Sequence, residues 1–456
     1  MAAARDADVT GSGAEPKIGS RDHVLLRELM LVNFRNYVRL ALTPGDPITV
    51  LVGDNGQGKS NVLEAIYLLA TTRSPRTSND RELVHWRARR DVIPFARLEA
   101  RIHRDGADLH IEILIKAETD AAADPSAADG TVPAIRPVTK QVKVNGLPTR
   151  AVELIGQVNV VLFTPDDVAL VAGSPSGRRR YLDITISQVN GHYLRALQRY
   201  NKVLIQRNTL LRQVRERRQR RDQLDFWNEE LVKLGAYVVA RRVETVGALN
   251  EDLAPLFRDL GGSQHDLSVS YQPTTHDPAE LGADTSRLAE LYTAKVADLL
   301  GREIEQGVSL VGPHRDDFTF VVDGVDLHDY GSRGQQRLAV LALKLAEAQF
   351  MRKQTEERPI LLLDDILSEL DPVRRGFVLA QAGRAGQTLI TTTDLGDFGT
   401  DLLSRAAIVR VERGALTSLE GTSPAHERPT NGETYMGSAS VRRVAEGRID
   451  STTKTG

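Results

Sequence analysis

The segment Gly53-Asp54-Asn55-Gly56-Gln57-Gly58-Lys59-Ser60 follows the apolar run ITVLV and precedes NVLEAIYLLA. It fits G-x-x-x-x-G-K-[ST] in the strand, loop, helix setting in which that spacing cradles the phosphates of a nucleotide. Glycines let backbone N–H groups curl around phosphates, and the following helix adds positive potential at its N-terminus. Lys59 can then reach the β- and γ-phosphates while the Ser60 hydroxyl holds Mg²⁺. A chance glycine turn would have no need of a buried strand before it and an apolar-faced helix after it.

A phosphate cradle that hydrolyses needs a distant acid at the end of a buried strand. Ile360-Leu361-Leu362-Leu363-Asp364-Asp365 supplies four aliphatics and then two carboxylates. Asp364 is expected to serve Mg²⁺, directly or through water, and Asp365 to lie closer to the γ-phosphate, where a carboxylate orients and polarises the attacking water. Lys59, Asp364 and Asp365 form the expected catalytic set. Between the two motifs lies Ser332-Arg333-Gly334-Gln335 at a helix start, and Ser368-Glu369-Leu370-Asp371 follows the acidic strand. That order is the one found in ABC-type ATPases. There Ser332, Gly334 and Gln335 would bind the γ-phosphate of a nucleotide held by a second subunit, so that ATP with Mg²⁺ joins two copies of the chain.

Residues so far apart in sequence can meet only on a large core. With 456 residues the chain has room for that core and for more than one unit. Its 41% hydrophobic and 26% charged residues are those of an ordinary globular protein. No apolar run approaches the ~18–20 residues of a membrane span. The absence of cysteine excludes disulfides, thiolate metal sites and cysteine nucleophiles. The N-terminal stretch has no signal-peptide core, so a cytoplasmic protein with no membrane partner is expected. The hydrophobic patterning predicts an α/β fold with an antiparallel β flank and an inserted, mainly helical arm lobe, and the motif order makes the α/β part a P-loop ATPase head of the ABC type. The head is expected over 23–175 and 301–419, with a flexible insertion at 117–137, the arm over 176–300, and flexible tails at 1–22 and 420–456. Apolar residues recurring by threes and fours from Val189 to Val214, and again from Trp227 to Val238, predict two long antiparallel helices.

Phe34-Arg35-Asn36-Tyr37, the segment VVLFTPDDVALVAGSPSGRRRYLD from Val160 to Asp183, VGPHRDD from Val311 to Asp317, GSRGQQR and LLLDDILSELD together resemble the RecF family of ABC/SMC/Rad50-type ATPases. The resemblance runs from about Leu25 to about Val411. It implies ATP-dependent dimerisation, slow DNA-stimulated hydrolysis, binding at single-strand/duplex junctions or gapped DNA, and work with RecR and RecO to load RecA. Carried over by position, it also places Arg35 and Asn36 near the nucleotide. Two departures stand out: Arg333 replaces the first glycine of the general ABC signature, and Thr391-Thr392-Thr393-Asp394 stands where many ABC proteins have a histidine switch. Thr393 and Asp394 are the resulting choices for a γ-phosphate sensor.

In a chain of formal net charge -2 any nucleic-acid footprint must be local. The arm carries Arg212, Arg215, Arg217, Arg218, Arg220 and Arg221 against Glu216 and Asp222, and a second basic run is Arg178-Arg179-Arg180. Such a surface suits phosphates with little sequence readout, whereas the lack of interleaved aromatics argues against a base-stacking groove. A solvated helix face is the competing reading of the same arginines. His314-Arg315-Asp316-Asp317 lacks a second spaced ligand cluster and does not read as a metal site. An ABC subunit acting on a protein or membrane partner would share the same nucleotide motifs. The long gap from Ser60 to Ser332, filled by a helical arm with an arginine run, argues against a transporter subunit. A full SMC protein would need many more heptads than the arm contains.

Overall fold

The structure, a computed structural model, describes residues 24–88, 93–117, 138–261, 265–277, 282–396 and 398–418. The tails expected at 1–22 and 420–456 lie outside the described residues, as does the insertion expected at 117–137 apart from Ala117.

The chain opens with a hairpin of β1 (Leu25–Phe34) and β2 (Tyr37–Leu42), then β3 (Ile48–Val52) and α1 (Lys59–Thr71). Strands β4 (Phe95–Arg104), β5 (Ala107–Ala117), β6 (Val138–Val144) and β7 (Leu147–Thr149) follow. With β1 and β2 they form an antiparallel sheet in the order β2-β1-β4-β5-β6-β7. The β4–β5 turn places Asp105 at φ 52° and Gly106 at φ 77°, the paired positive angles that a two-residue hairpin demands and Asp-Gly tolerates.

The short α2 (Ala151–Leu154), β8 (Val160–Phe163) and α3 (Ala169–Ala172) lead into the helices α4 (Pro175–Val189), α5 (Gly191–Arg215) and α6 (Leu224–Gly261). After β9 (Leu267–Gln272) and α7 (Thr285–Gln306) come β10 (Asp317–Val322), β11 (Val325–Asp326) and α8 (Leu327–Tyr330). Strand β10 pairs with β9 on one side and β11 on the other. The remaining elements are α9 (Arg333–Thr355), β12 (Ile360–Asp364), α10 (Pro372–Gly383), β13 (Gln387–Thr392), α11 (Thr400–Arg405), β14 (Ala406–Glu412) and β15 (Ala415–Ser418).

The second six-stranded sheet runs β15-β14-β3-β13-β12-β8, parallel except for the β14–β15 hairpin. It is covered on both faces, which is why its strands are continuous apolar runs. Within β12 the faces alternate. Ile360 and Leu362 pack with α1 and the antiparallel sheet, while Leu361 and Leu363 pack with α6 and α9. Helix α6 extends well past the apolar run that ends at Val238. Its stripe continues through Val246, Leu249, Leu253, Leu256, Phe257 and Leu260, all buried in the same core as the signature-bearing α9. The helical lobe is therefore continuous with the head core.

Farther out, α5 is pinned to α7 by Arg207 and Glu303, both 0% exposed and 2.5 Å apart. Asn228 Oδ1 and Ser309 Oγ accept the other Arg207 hydrogen bonds, and Leu310 N donates to Glu303, so the pair is fully satisfied. No described helix is long and apolar enough to cross a membrane.

Candidate nucleotide site

The glycine loop leaves β3 at the carboxyl edge of the parallel sheet, where such sheets place their ligands. Gly53 is dictated by crowding, since a Cβ there would sit 2.2 Å from the Val411 carbonyl oxygen. Gly58 is dictated twice over: it has φ +114°, and a Cβ would lie 2.4 Å from Asn36 Nδ2. No side chain caps the N-terminus of α1, and no acidic residue occupies its first turn; Asn61 N and Val62 N donate to the Gly58 carbonyl, which leaves the Lys59 and Ser60 N–H groups without an acceptor among the described residues. Asn36 Nδ2 donates to the Gln57 carbonyl at 2.9 Å, the Tyr37 hydroxyl donates to the Gly58 carbonyl at 3.0 Å, and Arg413 N donates to Gln57 Oε1 at 2.6 Å. The loop is thus held from both sides, by the β1–β2 turn and the β14–β15 turn.

Lys59 is buried, and its ammonium donates to the Gly53 carbonyl at 2.5 Å and the Asp54 carbonyl at 2.9 Å. Burial pushes its pKa down, against the pull of Asp365, Asp364 and Asp54. Arg35 is placed differently from Asn36. Its guanidinium is committed to Glu64 on α1 at 2.6 and 2.8 Å, and Ser74 shares that carboxylate. Of the two, Asn36 touches the loop.

Ser60 Oγ donates to Asp364 Oδ1 at 2.6 Å across a sequence separation of 304. Thr391 Oγ1 donates to the same oxygen at 2.8 Å and accepts from Asp365 N at 2.9 Å. Thr391 belongs to the run at the switch position, from which sequence alone selects Thr393 and Asp394 instead. It sits opposite both Asp364 and Leu51 in the sheet register, between the loop strand and the acidic strand, a placement that only long-range pairing creates. Ser60 and Asp364 fit Mg²⁺, which takes one or two protein oxygens and keeps several waters. Asp365 has φ 53°, and its Oδ1 is buried without a hydrogen-bond donor among the described residues. Burial raises its pKa, opposed by Lys59 and assisted by Asp364. An unpaired, weakly acidic carboxylate oxygen at this edge is chemically suited to accept a proton from water. A cleft of about 590 Å³ opens beside Ser60, Asp364 and Asp365, with Arg180 in its wall.

Ser332 caps α9 in a reciprocal box with Gln335: Gln335 N donates to Ser332 Oγ at 3.2 Å and Ser332 N donates to Gln335 Oε1 at 2.9 Å. Ser332, Gly334 and Gln335 are exposed. The nearest atom to a Cβ on Gly334 would be Ser332 Oγ at 4.0 Å, so nothing among the described residues requires glycine there. Thr393 and Asp394 are exposed beyond β13, and Asp394 is tied to Gly396 N; neither forms a hydrogen bond to Asp364 or Asp365.

All six arm arginines are exposed on the last turn of α5 and the connection to α6. Arg218 pairs with Glu216 and Arg220 with Asp222. The triplet Arg178-Arg179-Arg180 departs from the expected outer basic surface, because it lies on the first turns of α4 facing its neighbours. Arg178 is buried and bidentate to Asp317, Arg179 donates to the Asp316 carbonyl, and Arg180 donates to the Ser74 carbonyl. The His314-Arg315-Asp316-Asp317 run is a structural hub. Asp316 accepts from Tyr271 and Thr274, while His314 bonds Tyr200.

The model of the RecF/RecN/SMC N terminal domain matches residues 25–400. The DNA replication and repair protein RecF of Chloroflexus aurantiacus is 43% identical over 398 residues, covering 85% of this chain and 98% of the relative. That of Roseiflexus castenholzii is 45% identical over 395 residues, with the same coverage of both chains. Among solved structures, the recombination mediator protein RecF with ATP, of the RecFOR pathway, superposes with TM-score 0.77 at 29% identity, covering 88% of this chain and 99% of that one.

Proposed function

Because the chain belongs to the RecF family of DNA replication and repair proteins, we propose that it is an ATP-gated DNA clamp of recombinational repair and replication restart. Two copies bind ATP and meet head to head, the P-loop of each facing Ser332, Gly334 and Gln335 of the other. The closed dimer holds gapped or single-strand/duplex junction DNA, and slow, DNA-stimulated hydrolysis releases it. In this reading the chain works in the cytoplasm with RecO and RecR, supports RecA loading and contributes to SOS induction.

The observation that carries the reading is a pair of complementary halves. One is a phosphate cradle joined to a Ser60–Asp364–Thr391 cluster; the other is an exposed, fully capped helix start whose glycine has no reason among the described residues. Gly53 to Ser60 wrap the phosphates, with Lys59 exchanging its loop carbonyls for phosphate oxygens. Mg²⁺ on Ser60 and Asp364 supplies charge neutralisation. Asp365 orients the attacking water and holds its proton. Phosphate contact by Arg212, Arg215, Arg217, Arg218, Arg220 and Arg221 supplies salt-sensitive DNA affinity.

The test is binding of a fluorescent gapped duplex at two salt concentrations, with and without Mg·ATP, for wild type and Ser332→Arg. Expected is tighter binding with ATP in the wild type, weakening with salt, and no ATP effect in the variant, whose ATP binding as a monomer is retained. DNA binding indifferent to ATP points instead to an ABC ATPase acting on a protein or membrane partner.

A further inference from the structure

Between the end of α1 and helices α4 and α5 lies a cleft of about 490 Å³ that the nucleotide site does not use. Its ionisable lining comprises Arg73, Arg179, Arg180, Arg242, Asp183, His314 and Tyr200, with four arginines against one carboxylate. Asp183 is already matched, since it accepts from Arg242 at 2.7 Å. His314 contributes no charge at neutral pH, because burial brings its pKa down to about 4. Among the described residues no carboxylate forms an ion pair with Arg73, Arg179 or Arg180. Arg179 and Arg180 each donate one hydrogen bond to a backbone carbonyl, which leaves most of each guanidinium fork free. The Asp316 carboxylate, near Arg179, is turned to Tyr271 and Thr274.

A surplus of arginine over carboxylate along a walled cleft favours a shared anion, and a low-dielectric wall focuses its field. Burial and then Arg242 lower the Arg179 pKa, and Asp317, Asp183 and Asp316 offset only part of that. Planar guanidinium forks that line one cleft from two elements suit the oxygens of a phosphate group. We propose that this cleft is a second phosphate-binding site, separate from the P-loop and built on Arg73, Arg179 and Arg180. Arg180 also lines the cleft beside Ser60, Asp364 and Asp365, so one side chain forms a wall of both sites. The proposal goes beyond the clamp reading and does not require dimerisation.

The experiment first saturates the chain with a non-hydrolysable ATP analogue, whose uptake is measured, so that the P-loop is filled. Pyrophosphate is then titrated by calorimetry, and a labelled gapped oligonucleotide by anisotropy. The proteins are wild type, Arg73→Gln, Arg179→Gln and, as reference, Arg39→Gln, an exposed arginine on β2. Arg73 is exposed, and its side chain has no hydrogen bond or ion pair among the described residues, so its variant tests the site without loss of a side-chain contact. Expected is pyrophosphate binding by the analogue-loaded wild type, weakened at least about ten-fold in Arg73→Gln and Arg179→Gln and less than about two-fold in Arg39→Gln. A parallel loss of oligonucleotide affinity identifies the phosphate source as a nucleic-acid backbone. A loss confined to pyrophosphate identifies a free phosphate compound. Absence of pyrophosphate binding by the wild type with oligonucleotide affinity unchanged in both cleft variants overturns the site. An equal loss in Arg39→Gln also overturns it, because general charge then explains the effect.

Discussion

Asp365→Asn keeps the shape of the side chain and removes its charge, so it separates what the carboxylate does for the reaction from what it does to the fold. The folded chain pays for this carboxylate: Oδ1 is buried without a donor, and Asp364 adds repulsion. A buried unsatisfied polar atom costs ~1–3 kcal/mol. The attraction of Lys59 and the partial exposure of the side chain reduce that figure, leaving on the order of 1 kcal/mol. The variant should therefore be more stable, by roughly 1–2 °C in Tm when per-residue enthalpies are scaled to a chain of this size. The pH dependence has a definite sign. A raised pKa means that the folded chain holds the proton more tightly than the unfolded one, so stability falls as pH rises from the ordinary carboxylate range through the folded value. Asn lacks that fall; its advantage appears at neutral pH and disappears in acid. Turnover should drop at least about ten-fold, about 1.4 kcal/mol in the barrier, with ATP affinity retained. Single-turnover ATP hydrolysis and thermal melts across pH check both halves. Normal turnover moves water positioning to another residue, and a variant less stable at neutral pH refutes the account of an unpaired charge.

Lys59→Ala should weaken ATP binding at least about ten-fold and so prevent ATP-dependent dimerisation; a fluorescent nucleotide titration matching wild type counts against the cradle. Arg207→Met should cost about 3–5 kcal/mol by stranding buried Glu303, and adding Glu303→Gln should restore most of it. Urea unfolding tests this, and a double variant no better than the single one contradicts the ion-pair argument. His314 titrates near pH 4, below the ordinary value of 6.5. Its contribution to stability is present above that ordinary value and is lost as pH falls through the window down to about 4. His314→Gln should flatten the melting temperature across that window; an unchanged acid slope means other groups control it.

What the sequence makes legible is local. The strand, loop and helix around Lys59 and the apolar strand ending in Asp364 are contiguous patterns, and period and composition suffice to read them. The helix from Arg333 is likewise announced by its capping Ser332 and Gln335. Direction across the fold is a different matter. Three adjacent arginines look like a basic surface, yet on a helix they point to three sides, where Asp317, the Asp316 carbonyl and the Ser74 carbonyl receive them. Arg35 and Asn36 are neighbours in sequence, but the positive φ of Arg35 turns them to different partners. Thr391 is one of three consecutive threonines, and only the strand register singles it out. The arm follows the same logic. The apolar run read as ending at Val238 continues to Leu260 to pack against α9, because a helix stripe does not declare which surface it will meet.

The strand that carries the P-loop is flanked in the sheet by β13 and β14, with Val50 opposite Ile390 and Ile408. Both neighbours are made about 350 residues after β3, which at ~5–20 residues per second means on the order of 20–70 s of synthesis. Through that interval the nascent chain carries the complete glycine motif and no nucleotide site. An apolar strand without neighbours is the kind of unpaired edge that aggregates, and the loop's Gln57 still lacks Arg413. A polypeptide broken off before β14 has every residue of the motif and only the Asn36 and Tyr37 side of its support, without the Arg413 contact and the β14 pairing that brace the other.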